Sequence, residues 1–306
     1  MAIGSYIKDI GRGKDGARDL TRPQAADLMG QILDGQVSDL ELGAFCIAMR
    51  IKSETPQEMA GFLDALNQRM PQAQNPDGRA VVVLPSYNGA RKLPLLTPLL
   101  ALLLAREGLP VLVHAASTET GRVSAQDVLA ALGITAQPAI KKIASGELVL
   151  TPTSALHPRL QQLLEVRRTL NLRNSAHSLV KLLVPCTGPH VLVTSYTHPE
   201  YADAMAATLQ TMGSTALLLR GLEGEAVADP RRCPRMQGIF QGQCSELEAR
   251  QEGSLLQLPE LPTAIDPEST ARYTRQVLAG ELPVPAPLAR QVQHIVQLAA
   301  QAPIPA

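Results

Sequence analysis

The chain has 306 residues, enough for one large domain or two modest ones with a substantial buried core. Hydrophobic residues make up 45% and charged residues 18%, a balance that excludes wholesale disorder. Aromatic residues make up only 3% and Trp is absent, so a surface that binds nucleic-acid bases mainly by stacking is disfavoured, and the formal net charge of zero gives no general attraction for polyanions.

The N-terminal part has the pattern of a helical domain. Thr21 followed by Pro23 is typical of a helix start, Ser38 or Asp39 caps a second helix, and Thr55 opens a third. Apolar residues recur at helical spacing after each of these positions. The pattern predicts a compact helical domain over residues 1–72.

From residue 79 short apolar runs alternate with helical segments. The runs predicted as strands are 81–84, 110–114, 191–194 and 217–219. Strand–helix alternation with continuous apolar strands predicts a mostly parallel sheet covered on both faces. The segment at about 157–186 is again helical, and we expect it to complete the N-terminal domain.

The predicted fold class is therefore α/β, with a small helical N-terminal domain and a larger α/β domain around a mostly parallel central sheet. The larger domain is expected to comprise residues 79–156 and 187–306. After residue 235 the pattern weakens. The run 246–268 is acidic and interrupted by proline, and helices are predicted at 272–279 and 287–300.

Targeting and metal-binding signals are not visible in the sequence. The most apolar stretch, Leu93 to Ala105, contains two prolines and is shorter than the roughly 20 residues of a membrane-spanning helix. The four cysteines lack CxxC spacing, which disfavours a zinc site. We expect a cytoplasmic protein with no metal, no cofactor and no membrane partner.

Charge is unevenly distributed along the chain. Residues 79–181 contain twelve Lys and Arg against five Asp and Glu, whereas both flanking segments carry a net negative charge. Such polarity is typical of a basic face for phosphates. The alternative is that folding intersperses these charges and that they have no common role.

Several short sequence segments resemble those of a known family. They are Leu40 to Phe45, Met49 to Thr55, Ala125 to Gly133, and His157-Pro158-Arg159. These phrases resemble the anthranilate phosphoribosyltransferase family, which shares its fold with the pyrimidine nucleoside phosphorylases. The resemblance implies the two-domain fold described above and a homodimer formed through the helical domains, with the helix from Leu40 to Met49 at the interface.

The same resemblance implies a set of catalytic motifs, and most of their residues are missing from this sequence. The family binds diphosphate with a Gly-Thr-Gly-Gly-Asp loop after the first strand, because backbone N–H groups must approach the phosphates closely. Here residues 85–92 read Pro-Ser-Tyr-Asn-Gly-Ala-Arg-Lys, and only Gly89 matches. The family's Lys-His-Gly-Asn motif after the next strand keeps only His114.

The third motif is the family's acidic stretch, which holds Mg²⁺. Here residues 220–227 contain Glu223 and Glu225, but the natural alignment places Ala226 and Val227 at the metal-binding pair. Two readings stay open. The first is a non-catalytic protein with a remnant ligand cleft at Gly89, His114, Glu223 and Glu225. The second is a phosphoribosyl or glycosyl transferase with an altered substrate, in which Glu223 and Glu225 hold Mg²⁺.

Basic residues remain around these altered motifs. Together with the Gly-rich basic segment at 11–18, they resemble the YbiB-like branch of the family, and that resemblance implies binding of DNA or RNA without transferase activity. The leading hypothesis is electrostatic binding of the nucleic-acid backbone, single- or double-stranded and with low sequence specificity. The candidate nucleic-acid-binding residues are Arg12, Lys14, Arg18, Arg91, Lys92, Arg167, Arg168, Arg173, Lys181, Arg220, Arg231, Arg232 and Arg235.

Alternatives remain open for individual residues. Arg167 and Arg168 on a helix are also consistent with a solvated face or an ion pair, and His114 with a structural histidine. Tyr6 and Tyr87 are the candidate stacking residues. A protein-interaction scaffold that neither binds nucleic acid nor catalyses transfer is a third possibility for the whole chain.

Overall fold

The computed structural model describes residues 3–13, 15–117, 120–139, 142–255 and 258–302. The N-terminal helices are α1 (Gly4–Ile10), α2 (Arg22–Leu33), α3 (Asp39–Lys52) and α4 (Pro56–Asn67). Helices α2, α3 and α4 each begin with a capping box, in which Thr21, Ser38 and Thr55 accept a backbone N–H three residues ahead and that residue's side chain accepts in return. The predicted helix starts are therefore confirmed, with Ser38 rather than Asp39 as the cap.

Close packing of α2 on α4 forms the core of this helical domain. A Cβ at Gly61 of α4 would lie 2.3 Å from the carbonyl oxygen of Arg22, so only glycine allows the two helices to approach this closely. Phe45 and Phe62 meet edge to face nearby, with ring centroids 6.0 Å apart, and both are fully buried.

The remaining elements alternate between strand and helix before ending in a hairpin and two helices. In chain order they are β1 (Val81–Ser86), α5 (Thr97–Arg106), β2 (Val111–Ala115), α6 (Ala125–Ala131), β3 (Leu148–Pro152), α7 (Thr153–Leu156), α8 (Pro158–Leu170), α9 (Ala176–Leu179), β4 (His190–Tyr196), α10 (Glu200–Thr211), β5 (Ala216–Arg220), β6 (Met236–Phe240), β7 (Gln243–Glu248), α11 (Pro267–Ala279) and α12 (Ala286–Gln301). A short 3₁₀ turn, Leu222–Gly224, follows β5.

One sheet of seven strands organises the larger domain, in the order β3-β2-β1-β4-β5-β6-β7. Strands β1 to β5 pair in parallel, and β6 pairs antiparallel with both β5 and β7. Alternate residues face opposite layers: Val83 packs in the core shared with the helical domain, and Val82 packs in the core beneath α5 and α12. Because both faces are covered, the central strands are continuous apolar runs.

The predicted fold class is confirmed: a small helical N-terminal domain and a larger α/β domain with a mostly parallel sheet. Helix α8 contacts α2, and α9 contacts α4. We propose on that basis that residues 157–186 complete the helical domain of residues 1–72, leaving 79–156 and 187–306 as the larger domain. Among the helices in the described part of the chain, none is long and apolar enough to cross a membrane.

Three strands were not predicted. Strand β3 passes directly into α7 at Pro152, so it lacks the turn signal that marks the other strand ends. Strands β6 and β7 form a hairpin whose two turn residues, Gln241 and Gly242, both have positive φ. Strand β7 is an edge strand rich in polar residues, and edge strands need not show an apolar run.

Candidate functional site

The loop that follows β1 turns its backbone N–H groups toward a buried carboxylate of the same chain. Asn88 and Gly89 donate their backbone N–H groups to Oε1 of Glu225, at 2.7 and 2.8 Å. Gly89 has φ +67°, and a Cβ there would lie 2.9 Å from the carbonyl oxygen of Val123. The glycine that matches the family motif is therefore required by backbone conformation and by close packing.

Glu225 is held on its other side by two hydroxyl groups. Ser86, at the end of β1, and Thr97, the first residue of α5, both donate to Oε2, the latter at 3.2 Å. The Glu225 side chain is almost fully buried. Its two oxygen atoms thus accept four hydrogen bonds, which is the ordinary capacity of a carboxylate.

Glu223 accepts hydrogen bonds from the next part of the same loop. Its carboxylate accepts the backbone N–H groups of Arg91, at 2.7 Å, and of Lys92, at 3.1 Å. Glu223 itself has φ 51°, in the left-handed region that non-glycine residues seldom occupy. The turn that carries both glutamates is therefore bent so that each carboxylate reaches the loop after β1.

The space over this loop is small. A pocket of about 10 Å³ lies between the loop and the segment after β2, bordered by Asn88, Gly89 and Arg122, and its volume is that of about one water molecule. Arg122 donates to the carbonyl oxygen of Asn88 and so ties the two segments together.

Tyr87 and His114 lie beneath the loop. The Tyr87 hydroxyl is 2.8 Å from Nδ1 of His114, and Nε2 of His114 is 3.3 Å from the carbonyl oxygen of Leu183. Because that carbonyl only accepts, Nε2 carries the proton and Nδ1 accepts from Tyr87. Burial lowers the pKa of His114 to about 3 and raises the pKa of Tyr87.

Two predictions are wrong at this point. Tyr87 is not a stacking residue, because its ring is buried beneath the loop rather than exposed above it. His114 is not part of an accessible remnant cleft, because it is fully buried and neutral. Tyr6, the other stacking candidate, donates its hydroxyl to Asp27 on α2.

Lys181 supports the glutamate turn from the side of the helical domain. Its ammonium group donates to the carbonyl oxygens of Gly224, at 2.9 Å, and Ser195, at 3.3 Å. Burial lowers the pKa of Lys181 to about 8, the charge of Glu225 partly opposes that shift, and the charge of Arg173 adds to it. Lys181 is therefore a buried positioning group for the turn as well as a cation at its edge.

A cavity of about 650 Å³ lies between the helical domain and the carboxyl end of β4. Arg50, Arg173 and Lys181 contribute positive charge to its lining, while Glu54 and Glu200 contribute negative charge. Burial raises the pKa of Glu54, which accepts a hydrogen bond from Ser175. The cavity is thus polar and of mixed charge rather than uniformly basic.

Exposed cations surround the turn that carries the glutamates. Arg91 and Lys92 follow the loop after β1, and Arg220 ends β5. The side chains of all three are exposed, and none forms an ion pair or a side-chain hydrogen bond within the described residues. We call Arg91, Lys92 and Arg220 the basic rim.

Three further candidates reach the same edge of the sheet, because β6 is antiparallel and begins where β5 ends. Arg231 pairs with Asp229 at 2.8 Å, and Arg235 pairs with Glu246 at 2.6 Å. Arg232 donates to the carbonyl oxygen of Gly253. The charges of Arg231 and Arg235 are paired with carboxylates and Arg232 is hydrogen-bonded to a carbonyl group, so the structure does not support them as free phosphate ligands.

The other predicted cations belong to other segments of the chain. Arg167 and Arg168 belong to the last turn of α8, where cations favour the helix dipole. Arg12 is exposed, donates to the carbonyl oxygen of Lys8 and lies 3.6 Å from Asp9, while Arg18 is exposed. Lys14 lies outside the described residues.

Comparison with known proteins agrees with this architecture. Residues 5–70 match the helical bundle domain of the glycosyl transferase family. The uncharacterized protein YbiB of Escherichia coli (strain K12) is 41% identical over 298 residues, which cover 95% of this chain and 92% of that protein. The anthranilate phosphoribosyltransferase of Methanopyrus kandleri is 28% identical and covers 92% of this chain and 85% of its own.

The chain belongs to the anthranilate phosphoribosyltransferase-like family.

Solved structures of the family show the same fold. Anthranilate phosphoribosyltransferase from Thermus thermophilus superimposes with a TM-score of 0.74 at 23% identity, covering 97% of this chain and 88% of that one. The Saccharomyces cerevisiae enzyme in complex with PRPP and Mg gives 0.72 at 15% identity, covering 98% and 89%. At these identities the likeness concerns the fold and not the chemistry.

The residues present here do not fit the Mg²⁺ that the transferase hypothesis requires. A magnesium ion needs carboxylate oxygens that are free to coordinate it. The oxygens of Glu225 accept four hydrogen bonds, and those of Glu223 accept backbone N–H groups. Within the described residues no group of three or more His, Cys, Asp or Glu side chains is arranged to hold a metal.

Sequence reasoning missed the partners that make this site. Ser86, Asn88 and Thr97 hold Glu225, but each is an unremarkable polar residue in sequence, separated from Glu225 by more than a hundred positions. The only local signal was the position of Thr97 at a helix start. The half-exposed Tyr201 at the cavity was also missed, and no sequence pattern marks it.

Proposed function

We propose that this protein is a non-catalytic, nucleic-acid-binding member of the anthranilate phosphoribosyltransferase-like family. The observation that carries the proposal is the basic rim: Arg91, Lys92 and Arg220 expose cations without an ion-pair partner in the described part of the chain, around a loop whose own N–H groups are taken. A loop in that condition cannot offer its backbone to a diphosphate. Its flanking side chains can still meet phosphates one at a time, which suits a polymer backbone.

The kind of binding follows from the chemistry of the rim. Cations that meet phosphates release counterions, so affinity falls steeply with salt and depends little on sequence. Tyr87 is buried and the hydroxyl of Tyr6 is hydrogen-bonded to Asp27, so stacking on these two rings is expected to contribute little. The proposal covers single- and double-stranded DNA and, equally, RNA.

The test compares two pairs of arginines at the same edge of the sheet. Fluorescence anisotropy measures binding of a single-stranded oligonucleotide at several salt concentrations. Replacing Arg91 and Arg220 by Gln removes two unpartnered cations, and the log–log salt slope is expected to fall by about 1.4, or about 0.7 per contact. The matched control replaces Arg231 and Arg235, whose charges are paired, and is expected to change the slope less.

Several outcomes would overturn the proposal. Absence of binding by the unaltered protein at low salt is one, and a larger effect of the control pair than of the test pair is another. Saturable, Mg²⁺-dependent binding of phosphoribosyl pyrophosphate would instead support the transferase alternative. That alternative has no structural observation in its favour at Glu223 and Glu225.

We further propose that the protein is a homodimer through α3. Leu40 is 84% exposed and Ile51 is 59% exposed, and with Ile47 they lie on one face of the helix at spacings of seven and four residues. Gly43 lies on the same face with no atom within 4 Å of the position its Cβ would take, so a second helix can approach closely. An exposed apolar stripe of this kind is typical of an association surface.

Light scattering coupled to size exclusion tests this proposal. Replacing Leu40 and Ile51 by Glu is expected to convert a dimer to a monomer, since both charges would be buried at the interface. The control is Leu172→Glu, which places a charge at another exposed leucine outside α3. A monomeric unaltered protein, or a dimer that survives the double substitution, would contradict it.

A further inference from the structure

Four neutral donors converge on one buried carboxylate at the end of β1. The backbone N–H groups of Asn88 and Gly89 and the hydroxyl groups of Ser86 and Thr97 all point to Glu225. No Lys or Arg of the described residues forms an ion pair with it. The donors stand on three separate elements, the end of β1, the loop that follows and the start of α5, so their convergence is a property of the fold.

Such an arrangement is the form of an anion site. Consecutive backbone N–H groups in a turn make a concavity that attracts negative charge. Buried donors of this kind need an acceptor, because a buried polar group left without a partner is destabilising. Glu225 supplies that acceptor from within the chain, and the nearby ammonium group of Lys181, bonded to Gly224, favours the negative charge electrostatically.

The turn that presents Glu225 is closely fitted to this one position. A Cβ at Gly224 would lie 1.8 Å from Nδ2 of Asn88, and one at Gly221 would lie 1.9 Å from the carbonyl oxygen of Glu225. Asn88 in turn donates its side-chain amide to the carbonyl oxygen of Glu223, at 3.1 Å. The two segments therefore fold onto each other, with the carboxylate seated between them.

We propose that Glu225 is an internal substitute for a phosphate, and that removing its carboxylate turns the donors of Ser86, Asn88, Gly89 and Thr97 into a binding site for inorganic phosphate. The site is closed in the native protein by the chain itself. Phosphate presents oxygens that can accept the same N–H and O–H groups, and Lys181 remains close by to balance its charge. This inference is independent of nucleic-acid binding at the basic rim.

The experiment follows the melting temperature of the unaltered protein, Glu225→Ala and Glu225→Gln in sodium phosphate from zero to 50 mM. Sodium chloride keeps the ionic strength constant. Glu225→Ala empties the site, whereas Glu225→Gln fills the same volume without charge. For a millimolar dissociation constant, Glu225→Ala is expected to gain roughly 4 °C at the highest phosphate concentration.

The two other proteins are the controls, because phosphate stabilises most proteins weakly by exclusion from their surface. They are expected to shift by less than a quarter as much. Phosphorus-31 NMR then measures the exchange broadening of the free phosphate signal. Broadening is expected with Glu225→Ala alone. An equal shift in all three proteins, or no broadening with Glu225→Ala, would overturn the proposal.

Glu225→Ala could fail to fold in chloride, and the proposal then makes a sharper prediction. Phosphate should restore the folded circular-dichroism spectrum of that variant at concentrations where chloride does not. Failure of 50 mM phosphate to restore any folded signal would count against an anion site. Loss of oligonucleotide binding by the Arg91/Arg220 variant bears only on the basic rim, so the two proposals fail separately.

Discussion

The helical domain and the sheet edge each bury a lysine and a glutamate, but they treat the charges differently. In the helical domain Lys52 donates to Glu58 at 2.7 Å and to Asp19 at 2.6 Å. At the sheet edge Lys181 and Glu225 both contact neutral groups and do not touch each other. Lys52 and Glu58 form an ion pair. Lys181 and Glu225 are instead two separate charges, each hydrogen-bonded to neutral groups of the protein.

The pKa values of the two lysines express this difference. Burial alone would lower the pKa of Lys52, but hydrogen bonds to Asp19 and Glu58 outweigh it, so that the pKa of Lys52 is raised. For Lys181 burial prevails and the pKa falls to about 8. Removing one partner of a buried ion pair is strongly destabilising because it leaves an uncompensated charge, whereas a charge held by backbone groups indicates a site that favours an ion.

The largest effect on stability is expected from breaking the ion pair of the helical domain. Glu58→Ala should lower the free energy of unfolding by about 4 kcal/mol, because it leaves the buried Lys52 without a partner on α4. It also removes the acceptor for the backbone N–H groups of Leu20 and Thr55. Urea denaturation measures the change. A loss below about 1 kcal/mol would mean that Asp19 alone neutralises Lys52.

The next effect tests the desolvated charge of Lys181. The folded protein releases this proton near pH 8, but the unfolded chain holds it to about pH 10.5, so the unfolded state binds more protons between these values. Stability from this group therefore rises with pH across that window, by up to roughly 3 kcal/mol. Denaturation of the unaltered protein and of Lys181→Met from pH 7.5 to 10.5 measures the difference. Parallel curves would refute the lowered pKa.

A smaller effect is expected on the acid side, at His114. Its pKa is about 3 in the folded protein and near 6.5 in the unfolded chain, so the unfolded state binds more protons below pH 6.5. Stability is lost as the pH falls through that window. Between pH 7 and pH 5 the unaltered protein should lose about 2 kcal/mol more than His114→Asn does. Equal losses in denaturant titrations would show that His114 is not buried in neutral form.

The smallest effect isolates helix capping, which is one of the roles of Glu58. Ser38 and Glu41 form an exposed capping box on α3, without the buried lysine that accompanies Thr55 and Glu58. Ser38→Ala should cost about 1 kcal/mol, the usual value for a helix cap. Measured beside Glu58→Ala, it separates capping from the buried ion pair. A cost equal to that of Glu58→Ala would remove the distinction between them.

Prediction from sequence succeeded where the determining contacts are local. The caps at Thr21, Ser38 and Thr55 lie within four residues of the groups they satisfy, so their positions are visible in the sequence. The central strands were visible because burial on both faces requires apolar runs. The edge strand β7 is polar and was missed for the opposite reason.

The candidate site was predicted only in part. The sequence by itself determined that the loop after β1 had lost the family's glycine-rich motif and that cations remained at Arg91, Lys92 and Arg220. Arg231 pairs with Asp229 only two residues away, whereas the pairing of Arg235 with Glu246 appeared only when the hairpin of β6 and β7 brought the two side chains together.

The sequence determined the long helices, four of the five parallel strands and the resemblance to the family, because these follow from periodicity, capping and short sequence motifs. Only the tertiary structure decided what Glu225 does. In sequence it stands beside Glu223 as a candidate metal ligand, but folding carries it more than a hundred residues back to Ser86 and Asn88. Hydrogen bonds between distant segments depend on how the strands are ordered in the sheet, and no local pattern encodes that order.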